Sequence, residues 1–224
     1  HHCQDRKVRA FPTWKIRSAG TVPRRTRNSM RPLCRSSPLH CMNWRAADMA
    51  EMVKKATRES FGETVTALAA EYPEIVVLDA DLAAATKTGI FKKAYPERFF
   101  DCGIAECNMV GVAAGLATCG KIPFAASFAM FSAGRAFEQV RNSVGYPKLN
   151  VKIVGSHAGI SVGEDGATHQ CCEDIALMRT IPGMVILNPC DHYEMQAAVR
   201  AAVEHKPVLY PPRPSGCGKH QQQR

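Results

Sequence analysis

Hydrophobic residues in the middle of the chain fall into short runs that alternate with helical patterns. Apolar side chains recur at helical spacing from Met52 to Glu71, and Pro73 ends this first helix. Further helical patterns follow Gly103, run through 136–144 and extend from His192 to Glu204. Short apolar runs that suit buried strands lie at 74–81, 99–102, 122–131, 150–157, 184–189 and 207–210. Strands that alternate with helices in this way predict an α/β domain whose mostly parallel sheet is flanked by helices.

Glu106 lies where a predicted strand turns into a predicted helix. In that helix, Gly111 and Gly115 would allow close packing against a neighbouring helix. Apolar residues lie on both sides of the acid, namely Ile104, Ala105 and Met109. Such an environment would exclude water and favour a carboxyl group that holds or shares a proton. The alternative is a surface glutamate stabilised by the helix dipole.

A second candidate site is the glycine-rich segment 155–170, which follows a predicted strand. Its glycines allow tight folding around a ligand, while His157, His169 and Asp165 supply donors and acceptors. A metal site is one alternative, although the two histidines lack the regular ligand spacing of a zinc motif. Another is a surface loop in which Asp165 begins a turn and Thr168 caps the next helix.

The formal net charge of +9 belongs to residues 1–48, which hold 11 Lys and Arg against 2 Asp. Three interpretations of this leader are open: a transit peptide, an arm that binds nucleic acid, or translated upstream sequence. A transit peptide should be amphipathic, which this segment is not. Because Met49 precedes a well-formed helix, we favour the third interpretation and expect disorder. Residues 211–224 have no apolar face and receive the same interpretation. The remaining domain, 49–210, is electrically balanced, so its charge gives no reason to expect nucleic-acid binding.

Ten cysteines occur without a C-x-x-C spacing. Four of them, Cys102, Cys107, Cys119 and Cys190, lie within or beside apolar runs. Two others, Cys171 and Cys172, are adjacent to each other. This distribution indicates buried free thiols in a reducing compartment rather than disulfides or zinc ligands. No apolar run approaches the ~20 residues that cross a bilayer. We therefore expect a soluble protein that is cytoplasmic, or organellar if residues 1–48 are a genuine transit peptide.

Two sequence strings, in this order, closely resemble the pyrimidine-binding domain of transketolase. They are Asp101-Cys102-Gly103-Ile104-Ala105-Glu106-Cys107-Asn108-Met109 and Gly163-Glu164-Asp165-Gly166-Ala167-Thr168-His169-Gln170. The resemblance runs from about Met52 to Tyr210 and is greatest to the separate carboxyl-terminal subunit of split transketolases. It implies a thiamine-diphosphate-binding fold. Deoxyxylulose phosphate synthase shares the acidic-Gly-x-Thr-His element of the second string. The beta subunit of pyruvate dehydrogenase shares it more loosely, so both remain alternatives.

The resemblance also implies roles for single residues. Glu106 matches a glutamate that bonds the aminopyrimidine ring of thiamine diphosphate and favours the imino tautomer, which deprotonates the thiazolium carbon. Phe128 and Phe131 match aromatic residues that stack on this ring, although the residues alone indicate core packing. Asp81 matches an acid near the cofactor. Substrate contacts are expected from His157, Asp165, His169 and Arg58. The two histidines are also expected to act in catalysis. For Arg58, a solvated position on the helix is nearly as good an explanation.

The sequence departs from the family pattern at several positions. Cys107 replaces a usual Gln, Gly134 replaces an aromatic residue of many members, and Ala85 replaces a hydroxyl that commonly contacts the substrate phosphate. After Tyr210, two prolines interrupt the region where the family continues into a phosphate-binding arginine and a third domain, which we expect to be absent. Ala85 and the break after Tyr210 thus remove two phosphate contacts that the resemblance would otherwise imply.

The resemblance further implies that this chain supplies half of an active site. No stretch resembles the Gly-Asp-Gly run followed by Asn that holds magnesium and the cofactor diphosphate in this family. We therefore expect no metal ligands in this chain and a partner subunit that holds both groups, in a dimer or a larger homo- or hetero-oligomer. The expected reaction transfers a two-carbon ketol unit between sugar phosphates, as in the pentose phosphate pathway. A non-catalytic scaffold, or a nucleic-acid-binding module that uses the basic leader, is the alternative from another class.

Overall fold

The computed structural model describes residues 53–160 and 162–205, together with the backbone of 209–210. The predictions for residues 1–48 and 211–224 lie outside this part of the chain. Six strands form one sheet in the order β2-β1-β3-β4-β6-β5, and every neighbouring pair is parallel. The strands are β1 (Ile75–Asp79), β2 (Phe99–Asp101), β3 (Ile122–Phe128), β4 (Lys152–Ser156), β5 (Val185–Ile186) and β6 (Leu209–Tyr210). The predicted parallel α/β architecture is therefore confirmed.

Helices connect the strands on both faces of this sheet. They are α1 (Thr57–Glu71), α2 (Ala83–Thr86), α3 (Gly89–Ala94), α4 (Glu106–Thr118), α5 (Phe137–Gln139), α6 (Asp174–Arg179) and α7 (His192–Glu204). Two π-helical segments, Met130–Arg135 and Val140–Gly145, lie on either side of α5. The predicted strand at 122–131 ends at Phe128, because the chain enters the first π-helical segment two residues later. None of the helices in the described ranges is long and apolar enough to cross a membrane.

The core consists of two apolar layers, one on each face of the sheet. Alternate residues of β1 enter opposite layers, because successive strand side chains point to opposite faces. Val76 and Leu78 pack in the layer that contains Met109 of α4. Ile75 and Val77 pack in the layer that α1 and α7 cover. Strands buried on both faces explain why the strand runs are almost continuously apolar.

The carboxyl ends of the central strands meet at one edge of the sheet. Asp79 ends β1, Phe128 ends β3 and Ser156 ends β4. The connection after β2 leads directly into Glu106, the first residue of α4. Ligands of parallel sheets bind beyond the carboxyl ends of the strands, so the predicted site residues lie at the expected edge.

Candidate active site

Glu106 is a buried acid at the amino end of α4, with 1 % of its surface exposed. This burial agrees with the sequence analysis and excludes a surface glutamate. The expected shielding by Ile104 is wrong, because that side chain is 76 % exposed. Instead, Nη1 of Arg135 donates a hydrogen bond of 2.9 Å to Oε2 of the glutamate. A buried carboxylate needs such a partner to offset its lost hydration.

Arg135 is a site residue that the sequence analysis did not identify. It is the last residue of the first π-helical segment, a conformation that often occurs at functional sites. Its guanidinium carbon lies 4.8 Å from the centre of the Phe131 ring. The available sequence signal was the spacing, because Arg135 follows Phe131 by four residues and such pairs share one face of a helix.

Phe128 and Phe131 form a stacked pair, with ring centres 6.0 Å apart and an interplanar angle of 12°. Phe128 is buried but lies outside the apolar layers of the sheet. Its ring contacts are to Phe131 and to the rings of His157 and His169. A flat aromatic surface beside polar rings suits a planar heterocycle. The burial of Phe128 agrees with core packing, whereas its ring contacts place it beside the two histidines rather than in either apolar layer.

The glycine-rich segment brings both predicted histidines to this aromatic pair. The centre of the His157 ring lies 4.3 Å from that of Phe128. The centre of the His169 ring lies 5.1 Å from that of Phe131, in an edge-on arrangement. His169 of the second sequence string thus reaches the aromatic pair to which Arg135 connects Glu106 of the first string.

Arg58 reaches the same cluster from the first turn of α1. Its Nη1 lies 3.0 Å from Nε2 of His157, and Oγ of Ser156 lies 2.8 Å from Nδ1 of the same ring. Burial lowers the pKa of His157, the Arg58 charge lowers it further, and Asp165 opposes both effects. The structure therefore favours a neutral imidazole at this position.

The three acids near the site differ in environment. Asp165 is exposed and influences His157 only through its charge. Asp81 is also exposed, has a left-handed backbone with φ of 61°, and donates its backbone N–H to Asp101. Asp79 is fully buried and accepts hydrogen bonds from the hydroxyls of Thr86 and Thr88. The acid that organises the loop after β1 is thus Asp79, to which the sequence analysis gave no role, rather than the predicted Asp81.

The helix-cap interpretation of the glycine-rich segment is wrong. Helix α6 begins at Asp174, immediately after its N-cap residue Glu173. The Thr168 hydroxyl instead lies 2.9 Å from Nδ1 of His169. Thr168 therefore orients a histidine of the aromatic cluster.

The structure shows the environment of the cysteines and of Gly134, one of the departures from the family pattern. The six described cysteines are unpaired, but only Cys171 is buried, so the predicted burial is wrong for Cys119 and Cys190. Near the aromatic pair, a Cβ at Gly134 would lie 2.6 Å from the terminal methyl of Met130. Met130 thus fills part of the space beside this glycine. Within the described residues, no three His, Cys, Asp or Glu side chains are grouped as a metal site.

Together, the fold and the site define an α/β protein with a buried acid and an aromatic pair that suits a planar heterocycle. Residues 53–213 match the family described as the pyrimidine binding domain of transketolase. The match covers more than half of the chain, so this protein belongs to that family.

Related proteins agree with this assignment. The chain is 58 % identical over 158 residues to a protein of Methanocaldococcus jannaschii named as a transketolase C-terminal section, covering 70 % of this chain and 50 % of that protein. It is 40 % identical over 155 residues to a subunit of the apulose-4-phosphate transketolase of Phocaeicola vulgatus, covering 69 % of this chain and 50 % of the relative. The chain therefore spans about half the length of these two relatives.

Solved structures show the same fold. A split gene transketolase, described as an inactive beta4 tetramer, is 56 % identical with a TM-score of 0.63, covering 70 % of this chain and 50 % of that one. The transketolase of Campylobacter jejuni is 28 % identical with a TM-score of 0.64, covering 75 % of this chain and 28 % of that one. The thiamine-diphosphate-binding fold implied by the sequence resemblance is thereby confirmed.

Proposed function

We propose that this chain provides the pyrimidine-binding half of a transketolase active site. The complete enzyme would transfer a two-carbon ketol unit from a ketose phosphate to an aldose phosphate. The observation that carries this proposal is the buried Glu106 carboxylate, joined through Arg135 to the stacked pair of Phe128 and Phe131. One acid and one flat aromatic surface are what an aminopyrimidine needs for orientation.

The residues present fit thiamine diphosphate. Glu106 would hold a ring nitrogen of the pyrimidine, and Phe128 and Phe131 would contact its apolar face. When bound, the cofactor supplies a nucleophilic carbon and an electron sink for cleavage and formation of carbon–carbon bonds. The contribution of this chain is to bind, orient and desolvate the ring, and to hold or share a proton at the Glu106 carboxyl.

The polar residues beside the aromatic pair suit a sugar phosphate. His169 has one ring nitrogen, Nε2, without a hydrogen bond to the described residues, and His157 would contact a sugar hydroxyl or carbonyl oxygen by exchanging its bond to Arg58 or Ser156. Arg58 carries a permanent charge and five donors, which suit a phosphate group. Asp165 would accept from a sugar hydroxyl. These assignments match the substrate contacts that the sequence resemblance implies.

We propose that a second, diphosphate-binding chain completes the site and holds magnesium. Two relatives support this arrangement, since the Phocaeicola vulgatus protein is named as one subunit of its enzyme and the solved split gene transketolase is described as an inactive beta4 tetramer. Helix α4 also exposes a face of small residues, Gly111, Val112 and Gly115. A Cβ at either glycine would meet nothing within 4 Å. This face begins five residues after Glu106 and leaves room for a partner helix against α4.

The proposal is tested by mixing the chain with a diphosphate-binding subunit, thiamine diphosphate and Mg²⁺. Ketol transfer between a ketose phosphate and an aldose phosphate is the expected activity, and Glu106→Ala should abolish it. Glu97→Ala is the matched control, because that carboxylate is exposed and pairs with neighbouring Arg98. Undiminished turnover in Glu106→Ala would overturn the mechanism.

The same assay separates the alternatives. A requirement for pyruvate, with release of carbon dioxide, would instead support a deoxyxylulose phosphate synthase. Salt-sensitive binding to duplex DNA that disappears on deletion of residues 1–48 would support the nucleic-acid-binding alternative.

A further inference from the structure

Arg135 connects the two parts of the candidate site. Its Nη1 donates to Oε2 of Glu106 at 2.9 Å, while its guanidinium lies over the Phe131 ring at 4.8 Å. Half of the Arg135 side-chain surface is exposed, whereas that of Glu106 is 1 % exposed. The arginine is therefore held by two contacts, one ionic and one aromatic, at the solvent side of the acid.

The hydrogen bond to Glu106 uses only one carboxyl oxygen. Among the described residues, Oε2 is bonded by Arg135 and Oε1 has no hydrogen-bond partner. A bond to one oxygen restricts rotation of the carboxyl group, because rotation would separate the donor from its acceptor. The other oxygen remains available to a ligand.

We infer that Arg135 is a positioning residue that holds one oxygen of Glu106 and leaves the other for the pyrimidine ring of the cofactor. This inference rests on the proposed function. Contact with Phe131 fixes the guanidinium relative to the aromatic pair, so the acid and the stacking surface keep a constant relationship. Pre-organisation of this kind reduces the entropy lost when the ring binds.

A purely structural role for Arg135 predicts something different. A counter-ion that only compensates the buried charge would change the stability of the fold, without a specific effect on the cofactor. An arginine that blocks the site would weaken cofactor binding, so its removal would strengthen it. The three roles therefore predict different changes in the dissociation constant for thiamine diphosphate when Arg135 is removed.

The experiment measures this dissociation constant by calorimetry on the complex of the chain with the diphosphate-binding subunit, in the presence of Mg²⁺. We expect Arg135→Met to weaken binding about 10- to 100-fold, as for loss of a hydrogen bond to a charged group. Arg135→Lys should recover part of the affinity, since an ammonium retains the charge but lacks the planar donor arrangement. Arg141→Met, at an exposed arginine of the same helical stretch, should bind like the unmodified chain.

A double-mutant cycle with Glu106→Gln then tests whether Arg135 acts through the glutamate. In the Glu106→Gln background, we expect Arg135→Met to weaken binding no further. Equal weakening in both backgrounds would overturn the inference, and so would unchanged or tighter binding by Arg135→Met alone. Urea unfolding of each free chain separates loss of folding from loss of binding, and Arg135→Lys serves as the test variant if Arg135→Met does not fold.

The cycle also distinguishes this inference from the proposed function. Weaker binding by Glu106→Gln together with unchanged binding by Arg135→Met would leave the proposed function intact and overturn the role of Arg135. Unchanged binding by Glu106→Gln would overturn both.

Discussion

Nη1 of Arg58 lies 3.0 Å from Nε2 of His157, so a permanent cation contacts a half-buried imidazole. A guanidinium has only donors, so Nε2 of the histidine must be the acceptor. The ring proton is then on Nδ1, which donates to Oγ of Ser156 at 2.8 Å. The contact joins α1 to the end of β4 and fixes the tautomer that a substrate would meet.

Removal of this arginine should make His157 easier to protonate. We expect Arg58→Met to raise the pKa of His157 towards the ordinary imidazole value of 6.5, because the charge of Arg58 now lowers it. Burial, the larger cause, remains in the variant, so the pKa should stay below that value. Titration of the His157 ring signals by NMR measures the shift.

Arg200→Met is the matched control for this titration. Arg200 pairs with Glu71 on the exposed faces of α7 and α1, so its loss should leave the pKa of His157 unchanged. An equal shift in both variants would indicate a general charge effect rather than the Arg58–His157 contact.

Lys152 predicts an unusual pH dependence of folding stability. Its side chain is fully buried at the start of β4, where Nζ donates to Asn150 and, at 2.7 Å, to the carbonyl of His205. Burial lowers the pKa of Lys152 to about 8, from 10.5 for a free lysine. Between these values the unfolded chain holds a proton that the folded chain lacks, so stability should rise with pH by at most about 1.4 kcal/mol per pH unit.

Urea unfolding of the unmodified chain and of Lys152→Met, across this pH range, measures the effect. Burial also raises the pKa of Cys171 to about 11, which makes stability fall with pH above the ordinary thiol value of 9. That contribution cancels in the difference between the two proteins. The difference should change steadily between pH 8 and 10.5, and a constant difference would contradict the prediction.

Two glycines should respond oppositely to alanine. A Cβ at Gly62 would lie 2.4 Å from the carbonyl oxygen of Lys87, where α1 packs against the backbone between α2 and α3. We expect Gly62→Ala to lower the free energy of unfolding by about 1–3 kcal/mol, as overpacking does. Gly115→Ala, in open space on α4, should instead raise it by about 0.5–1 kcal/mol through helix propensity. Urea unfolding of the free chain measures both, and destabilisation by Gly115→Ala would show that its face is not open.

The parts of the fold that could be predicted are those with local, periodic signals. Helix α7 has the bounds that its apolar spacing indicates, and the apolar runs mark β1 and β3. Helices α2 and α3 were not predicted, because they are one to two turns long and depend on tertiary contacts to Asp79. Short helices of this kind are too brief for periodicity to detect.

In the site, residue types could be predicted but partnerships could not. Burial of Glu106 was one of two expectations that its sequence context allowed, whereas its pairing with Arg135 joins residues 29 positions apart and could not be expected. That contact depends on the π-helical segment, which has no signature in the pattern of apolar residues. Likewise, Asp79 and Asp81 both follow an apolar run, and only the left-handed backbone at Asp81 shows which of them leaves the core.

The buried Asp79 gives the last prediction. Its Oδ2 accepts from the hydroxyls of Thr88 at 2.7 Å and Thr86 at 2.8 Å, and its Oδ1 accepts from the backbone of Leu82. Burial raises the pKa of Asp79, and the bond from Thr88 opposes this rise more than any other. We expect Thr88→Val to lower the free energy of unfolding by about 1.5–3 kcal/mol at neutral pH, since the carboxylate loses a donor.

Acid pH provides the internal test of this explanation. The pKa of Asp79 in the folded protein lies above the value of 3.8 in a free chain, so the folded protein takes up this proton more readily than the unfolded chain. The group therefore contributes stability at low pH, and this contribution is lost as the pH rises through the folded pKa. Loss of the Thr88 hydroxyl should raise the folded pKa of Asp79 further. The stability difference between Thr88→Val and the unmodified chain should therefore be larger at neutral pH than at acid pH. Thr118 is the matched control, because its exposed hydroxyl bonds within α4. The free energy of unfolding of Thr118→Val should stay within about 0.5 kcal/mol of that of the unmodified chain at either pH. An equal deficit for Thr88→Val in acid and at neutral pH would mean that lost packing, rather than the carboxylate, explains the effect.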